Sequence, residues 1–288
     1  MFHQEEVSAL GEVLSRAVSL LERAGIDDAR LDAELMLAAA RAASRAALLT
    51  RVVAPDAAAI GRFEAMLARR IAREPLAYIL GVREFYSMEF AVTPEVLIPR
   101  PETELLVDQA LEFVARNPNA RVLDIGTGSG AIAVAIAANA PEARIVATDI
   151  SEHSLAIARA NATTHRCADR IEFVRADLFP FRMHLFDVIL SNPPYVPSRD
   201  MDSLAPEVRL YEPRRALDGG EDGLDFYRKM IPDCRRYLAG DAIVAFEVGV
   251  GQADVVAAMF TRAGFRNVAS LNDLSGIPRV VRASGLNS

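Results

Sequence analysis

Short apolar runs alternate with helical patterns along the second half of the chain, and this alternation limits the available folds more than any other feature. Strand-like runs occupy residues 121–125, 144–149, 171–175 and 186–190, and the series continues at 241–248 and near Val268 and Val280. Helical spacing of apolar residues occupies residues 131–140, 155–162 and 253–263. Strands separated by helices are typical of βαβ units, which form a parallel sheet covered by helices. The alternation therefore predicts an α/β fold of the Rossmann-like type.

The N-terminal part of the chain follows a different pattern. Apolar residues recur every three or four positions from Leu10, which predicts an amphipathic helix that ends near Gly25. Residues 28–40 and 55–73 predict two further helices. The composition changes at residues 84–92, where aromatic residues and valine favour short extended pieces.

These changes divide the chain into three predicted parts. We expect a helical domain over residues 1–83, a connector over residues 84–100 and a catalytic domain over residues 101–288. A chain of 288 residues is long enough for one large domain and one small one.

Composition and charge restrict the class of protein. The formal net charge of −7 argues against a broad basic surface for nucleic acid, so we expect no sequence-specific nucleic-acid binding. Only Cys167 and Cys234 are present, which indicates a reduced, cytoplasmic setting without disulfides. No apolar run reaches the length of a membrane span, and the N-terminus lacks the apolar core of a signal sequence. The four histidines show no metal-ligand spacing, so no metal site is expected: His3, His153, His165 and His184.

A glycine-rich turn follows the strand-like run at residues 121–125 and opens a helical pattern. Backbone without side chains can approach a ligand closely at such a turn, which predicts a nucleotide-like cofactor. The spacing also fits the dinucleotide fingerprint, so a nicotinamide cofactor stays open at this point. The residues expected to bind the cofactor here are Gly126, Thr127, Gly128, Ser129 and Gly130.

Acidic residues follow the next two strand-like runs. Asp149 lies about 20 residues beyond the glycine turn, where a carboxylate accepts hydrogen bonds from both hydroxyls of a ribose. Asp177 is placed to accept from an adenine amino group, and Leu178 to cover the adenine ring. The alternative for both acids is an ordinary turn residue at the end of a strand.

The sequence Asn192-Pro193-Pro194-Tyr195 follows the fourth strand-like run, at the edge of the sheet where such folds bind ligands. An amide nitrogen or an amino nitrogen conjugated to a ring is a poor nucleophile, because its lone pair is delocalised. The Asn192 side-chain oxygen and the Pro193 carbonyl can each accept one N–H and direct the lone pair toward a methyl donor. Tyr195 offers an aromatic face to the planar acceptor. We therefore predict a methyltransferase that uses S-adenosyl-L-methionine and releases S-adenosyl-L-homocysteine, with Asn192 also touching the cofactor.

Three other functions remain open on these residues. An adenine-N6 DNA methyltransferase uses the same chemistry on a ring amino group, although the acidic charge balance disfavours it. A nicotinamide dehydrogenase explains the glycine turn but leaves residues 192–195 without a role. A binding module regulated by a cofactor needs no catalytic asparagine.

The sequence also resembles, over nearly its whole length, the class I methyltransferases that modify the glutamine side-chain nitrogen of protein synthesis factors. Besides residues 126–130 and 192–195, the matching segments are residues 74–81 (EPLAYILG), 85–86 (FY), 97–104 (LIPRPETE), 211–213 (YEP), 216–217 (AL), 273–276 (DLSG) and 279–281 (RVV). The relative that acts on a large-subunit ribosomal protein is less similar at residues 101–104, which favours the branch that acts on release factors. Residues 99–104 also have the composition of a helix start.

The resemblance implies a small N-terminal helical domain for substrate recognition, joined by a hairpin to a seven-stranded class I methyltransferase domain. It implies methylation of the glutamine N5 in the Gly-Gly-Gln motif of class-1 peptide chain release factors, with residues 126–130, Asp149 and Leu178 on the cofactor and residues 192–195 on the glutamine. Leu178 departs from relatives with an aromatic residue at this position, which predicts weaker adenine binding if that contact depends on stacking.

Overall fold

The computed structural model describes residues 2–50, 56–181 and 185–286, without the side chains of residues 2–10 and 48–50. The helix start predicted at residue 55 and the side chains of His3 and His184 lie outside the described residues. The chain forms two compact units. The first unit comprises Met1–Gly81 and Ala205–Tyr211, and the second comprises Val82–Leu204 and Glu212–Ser288.

The first unit is helical, and its apolar positions recur at helical spacing so that each helix buries one face. Its helices, labelled in chain order, are α1 (Phe2–Arg23), α2 (Ala29–Ala40), α3 (Arg45–Thr50), α4 (Ala57–Ile71), α5 (Leu76–Leu80) and, from its second segment, α9 (Pro206–Tyr211). Leu21, Met36, Leu37 and Phe63 are the largest fully buried side chains of this core.

A network of charged side chains holds α9 within the helical unit. The Arg70 guanidinium donates to Asp32 at 2.7 Å and to Glu207 at 3.0 Å. Arg73 donates to the other oxygen of Glu207 at 2.7 Å. Burial raises the pKa of Asp32, and the hydrogen bond from Arg70 opposes that rise. Each buried charge in the network is thus paired, as burial of a charge requires.

The second unit contains a two-stranded hairpin and a seven-stranded sheet. The hairpin pairs β1 (Val82–Phe85) with β2 (Met88–Ala91). The strands of the sheet are β3 (Arg121–Ile125), β4 (Arg144–Asp149), β5 (Ile171–Arg175), β6 (Phe186–Ser191), β7 (Leu238–Glu247), β8 (Phe265–Asn272) and β9 (Pro278–Leu286).

The order of the sheet is β5-β4-β3-β6-β7-β9-β8, with β9 antiparallel to both of its neighbours. The chain proceeds outward from β3 to β5, then returns to the other side of β3 at β6. This reversal creates a topological switch point between β3 and β6, and ligands bind outside the carboxyl ends of the strands at such a point. Ile125 pairs with Ser191 at that edge, and the Ser191 hydroxyl donates to the Ile125 carbonyl at 2.8 Å.

Helices cover both faces of the sheet, because successive strand residues point to opposite faces. On β3, Val122 belongs to one core cluster and Leu123 to the other. The helices on the side of Val122 are α6 (Glu104–Val114), α7 (Ala131–Asn139) and α8 (Glu152–Thr164). The helices on the side of Leu123 are α10 (Asp225–Cys234) and α11 (Ala253–Arg262).

The predicted α/β fold with a seven-stranded sheet is confirmed. Strands β3, β4 and β5 have the bounds that their apolar runs predicted. Two differences concern the division of the chain: the hairpin lies in the second unit, and the segment Ala205–Tyr211 lies in the first. None of the helices in the described parts of the chain is long and apolar enough to cross a bilayer.

Candidate active site

A cavity of about 350 Å³ lies in the second unit at the carboxyl ends of β3, β4 and β6. It brings together most of the residues that the sequence singled out. Those that line it are Gly126, Thr127, Gly128, Ser129, Asp149, Asp177, Leu178, Asn192, Pro193 and Pro194. Gly130 and Tyr195 are not among the lining residues.

The glycine turn after β3 has a backbone conformation that side chains disfavour. Gly126 and Gly128 have φ angles of 73° and 56°, in the left-handed region that favours glycine. The N–H groups of Gly126 and Thr127 both donate to the Thr148 carbonyl at 2.9 Å, and the Gly128 N–H donates to Asp149 at 3.0 Å. The turn is therefore fixed to the end of β4, and its backbone forms one wall of the cavity.

Gly130 has a packing role. Its φ is 82°, and a Cβ atom built on it would lie 2.9 Å from the Ala158 Cβ of α8. This residue lets α7 and α8 approach closely, a requirement that the third glycine of such turns often meets. A direct contact between Gly130 and the cofactor stays a prediction.

Asp149 presents both carboxylate oxygens in fixed positions at the end of β4. Oδ2 accepts from the Gly128 N–H at 3.0 Å, and Oδ1 accepts from the Ser151 N–H at 2.8 Å. Each oxygen keeps further acceptor capacity, because an ionised carboxylate has about four acceptor positions. The carboxylate can thus receive the two hydroxyls of a ribose without moving.

Two aliphatic side chains line the cavity near Asp149. Leu178 has a φ of 69°, an uncommon conformation for a residue with a Cβ, and its carbonyl accepts from the Thr148 hydroxyl at 2.7 Å. Ile150 is 57% exposed although it is aliphatic, and it also lines the cavity. An exposed Ile150 and a partly buried Leu178 beside Asp149 have the character that suits an adenine ring. Sequence analysis missed Ile150, whose only signal was its place directly after Asp149.

Asn192 is held by a chain of buried side chains. Its Nδ2 donates to Thr103 Oγ1 at 3.0 Å, and the Thr103 hydroxyl donates to Glu247 Oε2 at 2.6 Å. Thr103 and Glu247 are 4% and 1% exposed. Within the described residues, no donor reaches Asn192 Oδ1 or the Pro193 carbonyl. Both acceptors are thus available to a ligand.

Glu247 ends β7 and was not recognised from the sequence. Burial raises its pKa to about 7, while the hydrogen bond from Thr103 opposes the rise. The one signal was an acid inside the apolar run of residues 242–248. Thr103 lies in the short 3-10 turn Pro101–Thr103 that precedes α6, so residues 99–104 begin a helix and also supply Pro99 and Thr103 to the cavity wall.

Tyr195 points away from the cavity and toward Glu247. Its hydroxyl lies 3.4 Å from Glu247 Oε1, and its ring packs against the core beneath the sheet edge. Burial raises the pKa of Tyr195, and the neighbouring Glu247 raises it further. The predicted stacking of its ring on the methyl acceptor stays a prediction, and the ring does not line the cavity here.

The order of the sheet, the glycine turn after β3 and Asn192-Pro193-Pro194-Tyr195 after β6 define a class I S-adenosylmethionine-dependent methyltransferase. The sequence matches the PrmC N-terminal domain over residues 12–81 and the methyltransferase small domain over residues 102–220. It is 43% identical over 284 residues to a release factor glutamine methyltransferase of Geobacter sulfurreducens, covering 98% of each chain. It is 44% identical to the protein of that name from Cereibacter sphaeroides, covering 94% of this chain and 97% of the relative. The chain belongs to the release factor glutamine methyltransferase family.

Solved structures support the fold. The catalytic domain of hMettl16, in complex with MAT2A 3'UTR hairpin 6, superposes with a TM-score of 0.59 at 17% sequence identity. The alignment covers 77% of this chain and 83% of that chain. At this identity the likeness concerns the fold alone.

The cavity fits S-adenosyl-L-methionine, the methyl donor of this enzyme. Its volume is within the range of about 300–1,000 Å³ that holds cofactors. One wall combines a turn without side chains, a fixed carboxylate and two aliphatic groups, which match the polar chain, the ribose and the adenine of the donor. Asn192 lines the same cavity.

Proposed function

We propose that the protein transfers the methyl group of S-adenosyl-L-methionine to the side-chain amide nitrogen, N5, of the glutamine in the Gly-Gly-Gln motif of class-1 peptide chain release factors. The names of its relatives support the substrate. The single observation that carries the chemistry is the orientation of Asn192, whose Nδ2 donates to Thr103 and whose Oδ1 is left for the substrate.

The two free acceptors explain how a weak nucleophile reacts. The glutamine amide has two N–H groups, and Asn192 Oδ1 and the Pro193 carbonyl each accept one of them. Held in this way, the nitrogen lone pair points along the remaining direction, and the positive charge that develops on nitrogen is stabilised by both oxygens. As the new nitrogen–carbon bond forms, the methyl–sulfur bond breaks and its electron pair stays on sulfur, and one of the two amide protons is released to solvent. Orientation and electrostatics therefore supply the rate, without a covalent intermediate.

The cofactor side of the cavity carries the proposed binding roles. S-adenosyl-L-methionine supplies an electrophilic methyl group on a sulfonium. Asp149 would bind its ribose hydroxyls, Asp177 its adenine amino group, and Leu178 and Ile150 the two faces of its adenine. The glycine turn at residues 126–130 would hold the polar chain.

We further propose that the helical unit recognises the release factor, so that the catalytic unit receives an already docked glutamine. The net charge of −7 supports a protein partner over extended nucleic acid. Because translation factors are the substrates we propose, we also propose the cytoplasm as the compartment.

Mass spectrometry of a release factor after incubation with enzyme and S-adenosyl-L-methionine tests the proposal. The expected result is one added methyl group on the glutamine of the Gly-Gly-Gln motif. Parallel reactions with a ribosomal protein substrate and with adenine-containing DNA address the two alternatives. Methyl transfer to DNA adenine alone, or to the ribosomal protein alone, contradicts the proposal.

A further inference from the structure

Asn192 can hold a glutamine amide in position for methyl transfer in only one of its two orientations. A half-turn of the side-chain amide exchanges Oδ1 and Nδ2 and costs little unless its partners distinguish them. With Nδ2 toward the substrate, the glutamine N–H would meet a donor in place of an acceptor. Something other than Asn192 itself must therefore select the orientation.

Thr103 selects the orientation of the Asn192 amide, because its hydroxyl has only one proton to donate. A hydroxyl has one O–H donor and lone pairs that accept. The O–H of Thr103 is directed to Glu247 Oε2 at 2.6 Å, so only lone pairs face Asn192. The Nδ2 group can donate to those lone pairs at 3.0 Å, whereas Oδ1 would meet another acceptor.

Glu247 in turn fixes the direction of the Thr103 hydroxyl. A carboxyl oxygen that carries no proton can only accept, and here Oε2 receives the Thr103 hydroxyl while Oε1 lies 3.4 Å from the Tyr195 hydroxyl. Its strand, β7, is paired in parallel with β6 so that Phe246 lies opposite Ser191, one residue before Glu247 and Asn192 respectively. The Tyr227 hydroxyl donates to the Glu247 carbonyl at 2.7 Å and fixes the end of the strand.

The carboxyl of Glu247 forms no salt bridge among the described residues, and the charge of Arg279 acts on it only from a greater distance. Among the described residues no arginine, lysine or histidine lies within salt-bridge distance of it. A buried carboxyl without a cation is costly, and an apolar side chain of similar size is usually tolerated better at such a place. The contacts that the carboxyl does make all lead to the residues that flank the acceptor site.

We propose that Thr103 and Glu247 are positioning residues that lock the Asn192 amide with Oδ1 toward the methyl acceptor. This inference rests on the proposed function, in which Asn192 Oδ1 accepts an N–H of the substrate amide. Neither residue needs to touch the substrate. Their effect is on the fraction of enzyme whose acceptor group faces the right way, and hence on kcat.

The test compares Thr103→Val with Thr103→Ser in methylation of a release factor. Valine keeps the shape of threonine without the hydroxyl, and serine keeps the hydroxyl. Thr103→Val should lower kcat by about 10- to 100-fold, because the acceptor is misdirected in the transition state. The KM for the release factor and the Kd for S-adenosyl-L-methionine should stay within about two-fold, since misdirection acts after binding. Thr103→Ser should restore most of kcat.

Two further variants separate positioning from structural damage. Thr163→Val removes an exposed hydroxyl of α8 that bonds only to its own helix, so it is the matched control and should behave as wild type. Glu247→Leu removes the partner of Thr103 and should lower kcat as Thr103→Val does, and the double variant should lose no more than either single one. If the loss of kcat in the double variant equals the product of the two single losses, the two residues act independently. That result contradicts the proposal that Glu247 acts through Thr103.

The outcomes of the two proposals are distinct. Wild-type enzyme that leaves the release factor unmethylated overturns the proposed function and the positioning role with it. Active wild type together with an equally active Thr103→Val overturns the positioning role alone. A Thr103→Val defect that serine does not restore, or one that appears mainly in cofactor affinity, also overturns it.

Discussion

The carboxylate of Asp149 accepts the Gly128 N–H at 3.0 Å, so the residue expected to bind the ribose also holds the glycine turn in place. Its second oxygen accepts the Ser151 N–H at 2.8 Å. The Gly128 and Ser151 N–H groups are both donors, and each needs one of the two carboxylate oxygens of Asp149. Asp149 therefore links two parts of the cofactor site through one side chain.

Asp149→Asn should weaken S-adenosyl-L-methionine binding nearly as much as Asp149→Ala, by about 10- to 100-fold. An asparagine has one oxygen, so its NH2 group must face either the Gly128 or the Ser151 N–H. Isothermal titration calorimetry measures both affinities. Asp169→Asn, at an exposed acid in the 3-10 turn Ala168–Arg170, is the matched control. An Asp149→Asn variant with wild-type affinity would contradict the proposed role.

Asn192→Ala should bind S-adenosyl-L-methionine nearly normally and lose methyl transfer by about 100-fold or more. The substitution removes an acceptor aimed at the charge that develops on nitrogen, and the cofactor-binding groups stay in place. Calorimetry for the cofactor and mass spectrometry for the product measure the two effects separately. Unchanged turnover would refute the mechanism, whereas a parallel loss of cofactor binding would reassign Asn192 to that part of the site.

The stability of the second unit should fall as the pH rises through the titration of Glu247. Burial raises the folded-state pKa to about 7 from an ordinary value of 4.5, so the folded state binds this proton more tightly than the unfolded state. The contribution is constant below about pH 4.5, declines as the proton is lost up to about pH 7, and is constant again above it. The full change for this one group is about 3 kcal/mol.

Glu247→Gln should remove that pH dependence, because glutamine does not titrate. Urea denaturation of both proteins at several values between pH 4.5 and 8 measures it, and the variant should gain stability relative to wild type as the pH rises. Asp124 is also fully buried with its pKa raised to about 7 and contributes equally to both proteins, so the comparison isolates Glu247. If the difference in stability between wild type and Glu247→Gln stays constant across this pH range, Glu247 does not titrate within it.

Gly130→Ala should destabilise the protein more than Gly128→Ala. Both glycines have a positive φ, but an added Cβ at Gly130 meets the Ala158 Cβ at 2.9 Å, whereas one at Gly128 has no atom within 4 Å. The overlap adds about 1–3 kcal/mol to the backbone cost that the two variants share. Thermal unfolding gives the ranking, and Ala158→Gly should destabilise the Gly130→Ala protein less than it destabilises wild type, because in the variant it also removes the overlap with the Ala158 Cβ. If both glycine variants lose the same stability, the contact between Gly130 and Ala158 does not explain the need for glycine at residue 130.

Much of the sheet could be predicted from the sequence, because a buried parallel strand is a short apolar run with clear limits. The apolar residues of β3, β4 and β5 lie between charged or glycine residues, namely Arg121 and Gly126, Arg144 and Asp149, and Arg170 and Arg175. The predicted ends of these strands agree with the structure. The position of Asn192 at the carboxyl edge followed from the same pattern.

The proposed roles of Thr103 and Glu247 could not be predicted from the sequence, because they depend on a contact between residues 144 positions apart. Along the chain, one is a threonine before a helix and the other an acid in an apolar run. Tyr195 shows the same limit: its place beside two prolines says nothing about which side of the sheet edge its ring occupies. Gly130 fits the ligand-binding spacing and the packing requirement equally well, so spacing could not separate the two roles.

The segment Ala205–Tyr211 makes the helical unit discontinuous in sequence. Glu207 pairs with Arg70 and Arg73, so cutting the chain after Gly81 removes the cations and leaves their carboxylate behind. The helical unit therefore cannot be removed, exchanged or fused to another protein intact by moving residues 1–81 alone. Chimeras with another family member should exchange residues 1–81 and 205–211 together, and a deletion of the first segment changes the remaining chain as well as removing the proposed recognition surface.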